Sequence, residues 1–167
     1  MQPAVQPKRR VGVLLGVALC VLGLDVVTKI IVVKELTNRA PVRLLGGFLK
    51  LTESRNPGAA FSLGTSLTLL YSAIAVTVIV VILRTSRHIR SLPWAITLGL
   101  LLGGATGNLS DRIFRSPGLF RGWVVDWIEL PHWPVFNLAD SAIVCGGILA
   151  VLLSARGLRL DGTRDNR

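Results

Sequence analysis

Four stretches of the sequence are long and apolar enough to cross a membrane, and they limit the possible folds more than any other feature. They run from Val11 to Val33, Leu67 to Leu83, Trp94 to Phe114 and Phe136 to Ala155. A hydrocarbon core of roughly 30 Å needs about 20 mostly apolar residues in a helix. Charged residues make up only 17% of the 167 residues, which is too few to cover a water-facing surface. The sequence therefore predicts an all-α membrane protein with four transmembrane helices.

The basic residues lie beside these apolar windows instead of forming a separate basic domain. The chain has 19 Lys and Arg against 9 Asp and Glu, a net charge of +10. Charge placed in this way indicates membrane topology and no nucleic-acid partner. Three dense clusters stand at helix ends: Lys8 to Arg10, Arg84 to Arg90, and Arg156 with Arg159. Because cytosolic loops carry the excess of Lys and Arg, we expect both termini in the cytosol.

Two segments then connect the helices on the outer side. The first, Lys34 to Ser66, has turn residues around the partly alternating runs Val42 to Leu45 and Phe48 to Leu51. This pattern is typical of short strands in a hairpin, and we call the segment the flap. The second, Arg115 to Pro134, carries three indole rings, which favour the membrane interface: Trp123, Trp127 and Trp133. We therefore expect a small outer β-like flap between helices 1 and 2 and an interfacial loop or helix between helices 3 and 4.

The rest of the sequence indicates one domain without metals. We predict a single integral membrane domain over residues 1–160 and a polar cytosolic tail over residues 161–167. Cys20 and Cys145 lie in apolar windows, where burial is the usual role of a free cysteine. The two histidines fall on opposite sides of the membrane in this topology, and no His-Glu-x-x-His pattern exists. The sequence thus predicts no metal site and no cofactor.

Polar residues interrupt the apolar windows near their outer ends. Asp25 and Lys29 lie one helical turn apart in the first window, so they share a face and can form an ion pair. Others gather at the outer ends of windows three and four and in the outer segment just before window four, which carries Asp126: Asn108, Asp111, Arg112, Asp126, Asn137 and Asp140. Charged groups are costly inside a membrane and mark a functional site by default. A pair that merely tolerates burial explains Asp25 and Lys29 equally well, but the convergence of four stretches at one depth favours a site.

Asp126 and Asp140 are the candidates for acid–base chemistry in this polar layer, because both stand among apolar residues. Two carboxylates held close together in a low dielectric do not both ionise easily, so one keeps a proton while the other stays charged. Such a pair can activate water with the ionised member and polarise a peptide carbonyl with the protonated one. Capping of a loop or helix is the alternative role for either residue alone.

A Ser/Lys dyad is a second catalytic hypothesis. It would use Lys29 as the base for Ser62 or Ser141. Asp25, one turn away, is expected to hold Lys29 protonated and so make it a poor base.

Two hypotheses without peptide cleavage belong to other classes. A proton-conducting subunit would use Asp25, Lys29 and Asp140 as a relay, but the inner halves of windows two and four lack polar steps. A non-catalytic assembly subunit would be held by small residues repeated at four-residue intervals, which favour close helix packing: Gly99, Gly103, Gly107, Ala142, Gly146 and Ala150.

Five motifs in order give the chain a resemblance to the lipoprotein signal peptidase (signal peptidase II) family, and they cover nearly the whole chain outside its termini. The resemblance departs from the usual family residues at Val26 and Trp127, neither of which is a candidate catalytic group. The motifs are Asp25-Val26-Val27-Thr28-Lys29, Asn56-Pro57-Gly58-Ala59-Ala60-Phe61-Ser62, Gly104-Ala105-Thr106-Gly107-Asn108-Leu109-Ser110-Asp111-Arg112, Val124-Val125-Asp126-Trp127-Ile128 and Phe136-Asn137-Leu138-Ala139-Asp140-Ser141.

The resemblance implies a bacterial inner-membrane aspartic endopeptidase that acts as a monomer near the outer leaflet, among membrane lipids. Its substrates would be prolipoproteins, cut just before a cysteine that carries a diacylglyceryl group. It implies Asp126 and Asp140 as the catalytic dyad, with Asp111 a structural residue that pairs with Arg112. The implied residues that support the dyad or bind the substrate are Asp25, Lys29, Asn56, Gly58, Asn108, Arg112 and Asn137.

Overall fold

The computed structural model describes residues 9–57 and 65–165. It contains four long helices: α1 (Val11–Leu36), α2 (Thr65–Ser86), α3 (Leu92–Phe114) and α4 (Leu138–Ala155). Each is long and apolar enough to cross a membrane. The four predicted transmembrane helices are confirmed, and the chain is a multi-pass membrane protein.

Helix α3 lies at the centre of the bundle and packs against α1, α2 and α4. Glycines allow this close approach. A Cβ on Gly99 would lie 2.8 Å from the Leu14 carbonyl oxygen, and one on Gly103 would lie 2.7 Å from that of Ala18. Small residues at this spacing let two helix backbones come together where larger side chains would hold them apart. The predicted small-residue stripe on α3 is therefore a packing surface against α1.

The outer faces of the helices are covered with exposed apolar side chains. Leu19 is 67% exposed on α1, and Val151 is 68% exposed on α4. In a chain with membrane-spanning helices, such side chains face lipid instead of water. Cys20 and Cys145 also lie on these exposed faces. The expectation that both are buried is wrong, because an apolar stretch in a membrane helix also supplies the lipid-facing surface.

A three-stranded antiparallel sheet stands at the end of the bundle where α1 ends. Its strands are β1 (Val42–Leu44), β2 (Leu49–Asn56) and β3 (Val124–Glu129), in the order β1-β2-β3. The first two form the predicted hairpin of the flap, and their turn uses left-handed backbone at Gly46 and Gly47 (φ 67° and 93°), which glycine adopts without strain. The segment between α3 and α4 contributes the third strand, which the sequence did not predict.

At the opposite end, the polar tail folds back on the bundle where it begins. The Leu160 carbonyl accepts hydrogen bonds from the backbone N–H groups of Arg90 and Ser91. The Trp94 indole N–H donates to the Leu158 carbonyl at 2.7 Å. These contacts hold the α2–α3 connection against the end of α4, far from the sheet.

Candidate active site

Strand β3 places Asp126 inside the protein, where its side chain is 3% exposed. Pairing with β2 brings Asn56 alongside, so that the Asn56 amide donates to Asp126 Oδ2 at 3.0 Å. The other carboxylate oxygen, Oδ1, accepts from the Asn137 amide at 2.7 Å. Asp126 is thus a buried carboxyl group whose two oxygens are both held by neutral amides.

Asp140 lies in the first turn of α4 and takes part in its capping box. Its Oδ2 accepts from the Asn137 backbone N–H at 3.2 Å, and the Asn137 side chain accepts from the Asp140 N–H at 2.9 Å. Its Oδ1 accepts from the Asn108 amide at 2.7 Å. The predicted capping role of Asp140 is therefore real, and it leaves the carboxylate fixed beside Asn108.

Asn137 connects the two aspartates. Its Oδ1 faces the start of α4, so its Nδ2 must point the other way, toward Asp126. Burial, with a smaller contribution from the charge of Asp140, raises the pKa of Asp126 to about 6, although the hydrogen bonds from Asn56 and Asn137 act in the opposite direction. The site therefore holds one carboxyl group that keeps its proton to higher pH than an ordinary aspartate, beside a second carboxyl group, as an acid–base pair requires.

Beneath the dyad lies the ion pair that the spacing of Asp25 and Lys29 predicts, with Nζ 2.8 Å from Asp25 Oδ2. Lys29 is 1% exposed and Asp25 fully buried. The same Nζ lies 2.9 Å from Asp111 Oδ2 and donates to Asn108 Oδ1 at 3.2 Å. The three N–H groups of the ammonium thus have three acceptors.

This arrangement does not favour Lys29 as the base of a Ser/Lys dyad. All its donors are directed at other groups, and the Ser141 hydroxyl donates instead to the Asn137 carbonyl at 2.9 Å. Ser62, the other serine considered, lies outside the described residues.

Lys29 also sets the direction of the Asn108 amide. An ammonium group only donates, so the oxygen of Asn108 must face Lys29 and its NH₂ group must face Asp140. The Asn137 amide donates to the same oxygen at 3.2 Å and reinforces this orientation. Asn108 therefore presents a hydrogen-bond donor to Asp140.

We predict that Asn108→Ala lowers turnover by at least about tenfold, since one charge-assisted hydrogen bond is worth roughly 1.5–3 kcal/mol. The thermal unfolding temperature in detergent should fall less than for Asp25→Ala, which would leave a buried Lys29 poorly compensated. Cleavage rates and unfolding curves of both variants provide the measurement. An Asn108→Ala protein that unfolds easily while its folded fraction cleaves normally would make Asn108 structural.

A cavity of about 370 Å³ opens beside the dyad. Arg112 is 8% exposed and borders it; its guanidinium lies 5.6 Å from the centre of the Tyr71 ring, and its buried Nη1 has no hydrogen-bond partner among the described residues. The cavity is lined by polar groups at one end and apolar side chains from α2, α3 and α4 along its length: Asn56, Tyr71, Ile74, Ala75, Val78, Leu101, Ala105, Asn108, Arg112, Asp140 and Ile143. It has the shape and polarity to hold an apolar chain with its backbone at the dyad.

The structure thus brings together the predicted site residues from α1, β2, α3, β3 and α4, while Gly58 lies outside the described residues. Within those described residues, no group of three or more His, Cys, Asp and Glu side chains could hold a metal ion. Asp111 pairs with Lys29 and Arg115, and not with Arg112 as expected. The reason is geometric: consecutive helical side chains point roughly 100° apart, whereas those four apart share a face.

Sequence reasoning missed a set of polar contacts made by α2. The Thr68 hydroxyl donates to the Pro57 carbonyl, and the Ser72 hydroxyl donates to the Phe120 carbonyl at 2.7 Å. Both side chains are 2% exposed. They tie the end of β2 and the segment before β3 to the same helix. The sequence pattern that could have indicated these contacts is a pair of hydroxyl residues, Thr68 and Ser72, four positions apart on an apolar helix.

Four membrane-spanning helices that enclose a polar layer of paired carboxylates define an integral membrane enzyme of the protease class. The sequence profile of the family described as signal peptidase (SPase) II matches residues 17–156. This chain therefore belongs to the signal peptidase II family.

Similar proteins agree with this assignment. The lipoprotein signal peptidase of Streptomyces coelicolor is 58% identical over 156 residues, which cover 93% of this chain and 76% of the relative. That of Rhodococcus jostii is 48% identical over 163 residues, covering 98% and 81%. A bacterial membrane enzyme solved by the in meso method at 1.9 Å resolution matches with a TM-score of 0.78 and 26% identity, covering 90% of this chain and 97% of that one.

Proposed function

We propose that this chain cleaves the signal peptide from diacylglyceryl-modified prolipoproteins, just before the lipid-bearing cysteine, with Asp126 and Asp140 as an aspartic dyad. The observation that carries the proposal is the shared hydrogen-bond network in which Asn137 contacts both carboxyl groups. In the active form of the enzyme, Asp126 is the protonated acid and Asp140 the ionised base. The raised pKa of Asp126 and the donor from Asn108 to Asp140 support these roles.

The reaction follows from the two protonation states. Asp140 takes a proton from water, whose oxygen attacks the scissile carbonyl carbon while Asp126 gives its proton to the carbonyl oxygen. The tetrahedral intermediate then collapses: the C–N bond breaks, Asp140 passes its proton to the leaving amine, and Asp126 recovers a proton from the hydroxyl group. The products are the free signal peptide acid and a new amino-terminal cysteine, and the dyad returns to its starting state.

The cavity beside the dyad supports a groove for the signal peptide. Helix α2 packs on α3 and, within the part of the chain that the structure describes, has little contact with α4. An apolar segment can therefore enter sideways from lipid between α2 and α4. The Nη1 of Arg112, which has no acceptor within residues 9–57 and 65–165, is a donor for a substrate carbonyl, because a buried N–H group without an acceptor is costly until one arrives.

Other functions have less support. Every buried ionisable side chain among the described residues belongs to the polar layer near the sheet: Asp25, Lys29, Asp111, Arg112 and Asp126. A proton relay needs such groups through the full thickness of the membrane. The described site residues all come from one chain, so we propose that residues 1–160 act as a monomeric peptidase domain, with residues 161–167 as a cytosolic tail.

One cleavage assay tests the function. The purified full chain in detergent is incubated with a prolipoprotein carrying a diacylglyceryl cysteine, and the product masses are determined. We expect a cut immediately before the modified cysteine and at least about tenfold slower cleavage of the same substrate without lipid, since remote binding energy is used at the reacting centre. Absence of cleavage, or equal cleavage of both substrates at another bond, would contradict the proposal.

The orientation is also part of the proposal: both termini cytosolic, and the dyad near the outer leaflet of the inner membrane. It rests on the density of basic residues at Lys8 to Arg10, Arg84 to Arg90 and Arg156 to Arg159, as the positive-inside rule requires. Reporter fusions after Arg167 and within Arg84 to Arg90 should report the cytosol, and a fusion at Gly46 the outside. A reporter after Arg167 that reports the outside would reverse the orientation.

A further inference from the structure

Asp111 is a buried carboxylate that the proposed reaction does not use. Its Oδ2 lies 2.9 Å from Lys29 Nζ, and its Oδ1 accepts from the Arg115 guanidinium. The Lys29 ammonium lies between Asp111 and Asp25, so one buried cation joins carboxylates from α1 and α3. A simple packing role for this group is to hold those two helices together.

Each of these two carboxylates also holds a backbone N–H group in a different element. Asp25 Oδ1 accepts from the Ala139 N–H in α4 at 3.0 Å. Asp111 Oδ2 accepts from the Val125 N–H in β3 at 3.2 Å. Ala139 immediately precedes Asp140, and Val125 immediately precedes Asp126. The two contacts therefore hold the backbone N–H groups of the residues that directly precede the two dyad residues.

We infer that Asp111 is a positioning residue that, with Lys29 and Asp25, forms a clamp fixing β3 and α4 at the separation that the dyad needs. The inference rests on the proposed function of Asp126 and Asp140. The dyad residues come from a strand and a helix, and their side chains are joined through neutral amides alone. The buried ion group provides a rigid link that keeps both carboxyl groups within reach of one water molecule.

The surrounding packing gives this clamp little freedom. A Cβ on Gly107 would lie 2.6 Å from Asp25 Oδ2 and 3.2 Å from the Ala139 Cβ, so α3 approaches both groups as closely as a glycine permits. Val125 is fully buried. Because the ion group is buried and Lys29 Nζ lies 2.8 Å and 2.9 Å from its two carboxylates, separating its members would leave charges unpaired in a low dielectric.

Two substitutions separate positioning from simple packing. Asp111→Leu has a similar shape but removes the acceptor for Val125. Asp111→Asn keeps one oxygen for Val125 and Lys29, and its NH₂ group faces Arg115, whose side chain is 30% exposed and can turn to solvent. Charge balance around Lys29 is the same in both variants, so the acceptor is the main difference between them.

We expect Asp111→Leu to lower kcat by about 100-fold with KM within about threefold, since displacement of a reacting group by about 1 Å has an effect of this size. Asp111→Asn should keep kcat within about threefold of the unaltered chain. Glu129→Gln is the matched control: it removes a carboxylate on β3 that pairs with Lys50 at 2.6 Å, outside the site, and should change neither constant. The measurements are steady-state cleavage of the lipid-modified substrate and thermal unfolding in detergent.

A folded Asp111→Leu protein with unchanged kcat would overturn the inference, as would a folded Asp111→Asn protein with the loss expected for Leu. If the Leu variant does not fold, Asp111→Ser replaces it, because its hydroxyl is too short to reach Val125 and leaves room for water; the same outcomes apply. An unaltered chain that does not cleave overturns both the function and the clamp. Cleavage by the unaltered chain with no effect of Leu or Ser overturns the clamp alone.

Discussion

Replacing either Asp126 or Asp140 with asparagine is expected to lower cleavage of the lipid-modified substrate by at least about 10³-fold, with the double variant little worse than either single one. An asparagine has nearly the same size but cannot exchange a proton, so both acid–base roles fail together. Members of a catalytic unit are strongly non-additive in this way. The measurement is the single-turnover cleavage rate of the three variants and the unaltered chain.

The two single variants should differ in stability, because the donors around each position differ. In Asp126→Asn, the new side chain would direct its oxygen at Asn137 and its NH₂ group toward Asn56, an exposed residue beside which water can accept from the new NH₂ group. At position 140 the two facing donors are the Asn137 N–H and the Asn108 NH₂ group, and Lys29 prevents Asn108 from turning. In Asp140→Asn the new NH₂ group therefore faces another hydrogen-bond donor, which destabilises the folded protein by roughly 1–3 kcal/mol. Its unfolding temperature should be the lower of the two.

Glu53→Gln is the control for these variants. Glu53 lies on β2 and pairs with Arg55 at 2.7 Å, so its replacement removes a carboxylate near the sheet without touching the dyad. It should keep full activity. Activity within about tenfold of normal in Asp126→Asn or Asp140→Asn would remove that aspartate from the mechanism, given that loss of a true member costs far more.

The helices could be predicted because their length and apolar character are local properties. The window from Val11 to Val33 became α1 (Val11–Leu36), and the window from Trp94 to Phe114 became α3 (Leu92–Phe114). Helix α4 begins two residues later than its window, at Leu138, because Asn137 caps it. Strand β3 could not be predicted in the same way, since its partner β2 is about 70 residues away in the chain and pairing depends on the assembled bundle.

The convergence of the site residues could be predicted from the sequence, whereas their individual contacts could not. Helix direction alone placed Asp25, Asn108 and Asp140 at the same level, because successive spans cross in opposite directions. The two contacts of the clamp with β3 and α4 could not be read from the sequence, because each joins a side chain to a backbone N–H of another element. Backbone groups carry no sequence signal of their own partners. The topology therefore predicts which residues form a polar layer, whereas the hydrogen bonds and ion pairs within that layer become clear only in the folded structure.

The pH profile should identify which aspartate is the acid. The Asp126 carboxyl group must be protonated to polarise the carbonyl, and its pKa is raised by burial to about 6. The protonated fraction therefore halves near pH 6 and then falls about tenfold per pH unit. Because kcat/KM reports the protonation states of the free enzyme, we expect it to decline as the Asp126 carboxyl group loses its proton. At pH 8, kcat/KM should be about 100-fold lower than on the acid side of this decline.

Asn56→Ala tests whether the decline of kcat/KM with rising pH reflects deprotonation of Asp126. The Asn56 amide donates to Asp126 Oδ2 at 3.0 Å and stabilises the ionised form, which lowers the pKa. Without that donor the pKa of Asp126 rises, so the decline of kcat/KM should move to higher pH even though the maximal rate falls. Glu53→Gln, on the same strand, should not change the pH at which kcat/KM declines. A rate that instead increases through pH 6 would make Asp126 the base, since the ionised form would then be the active one.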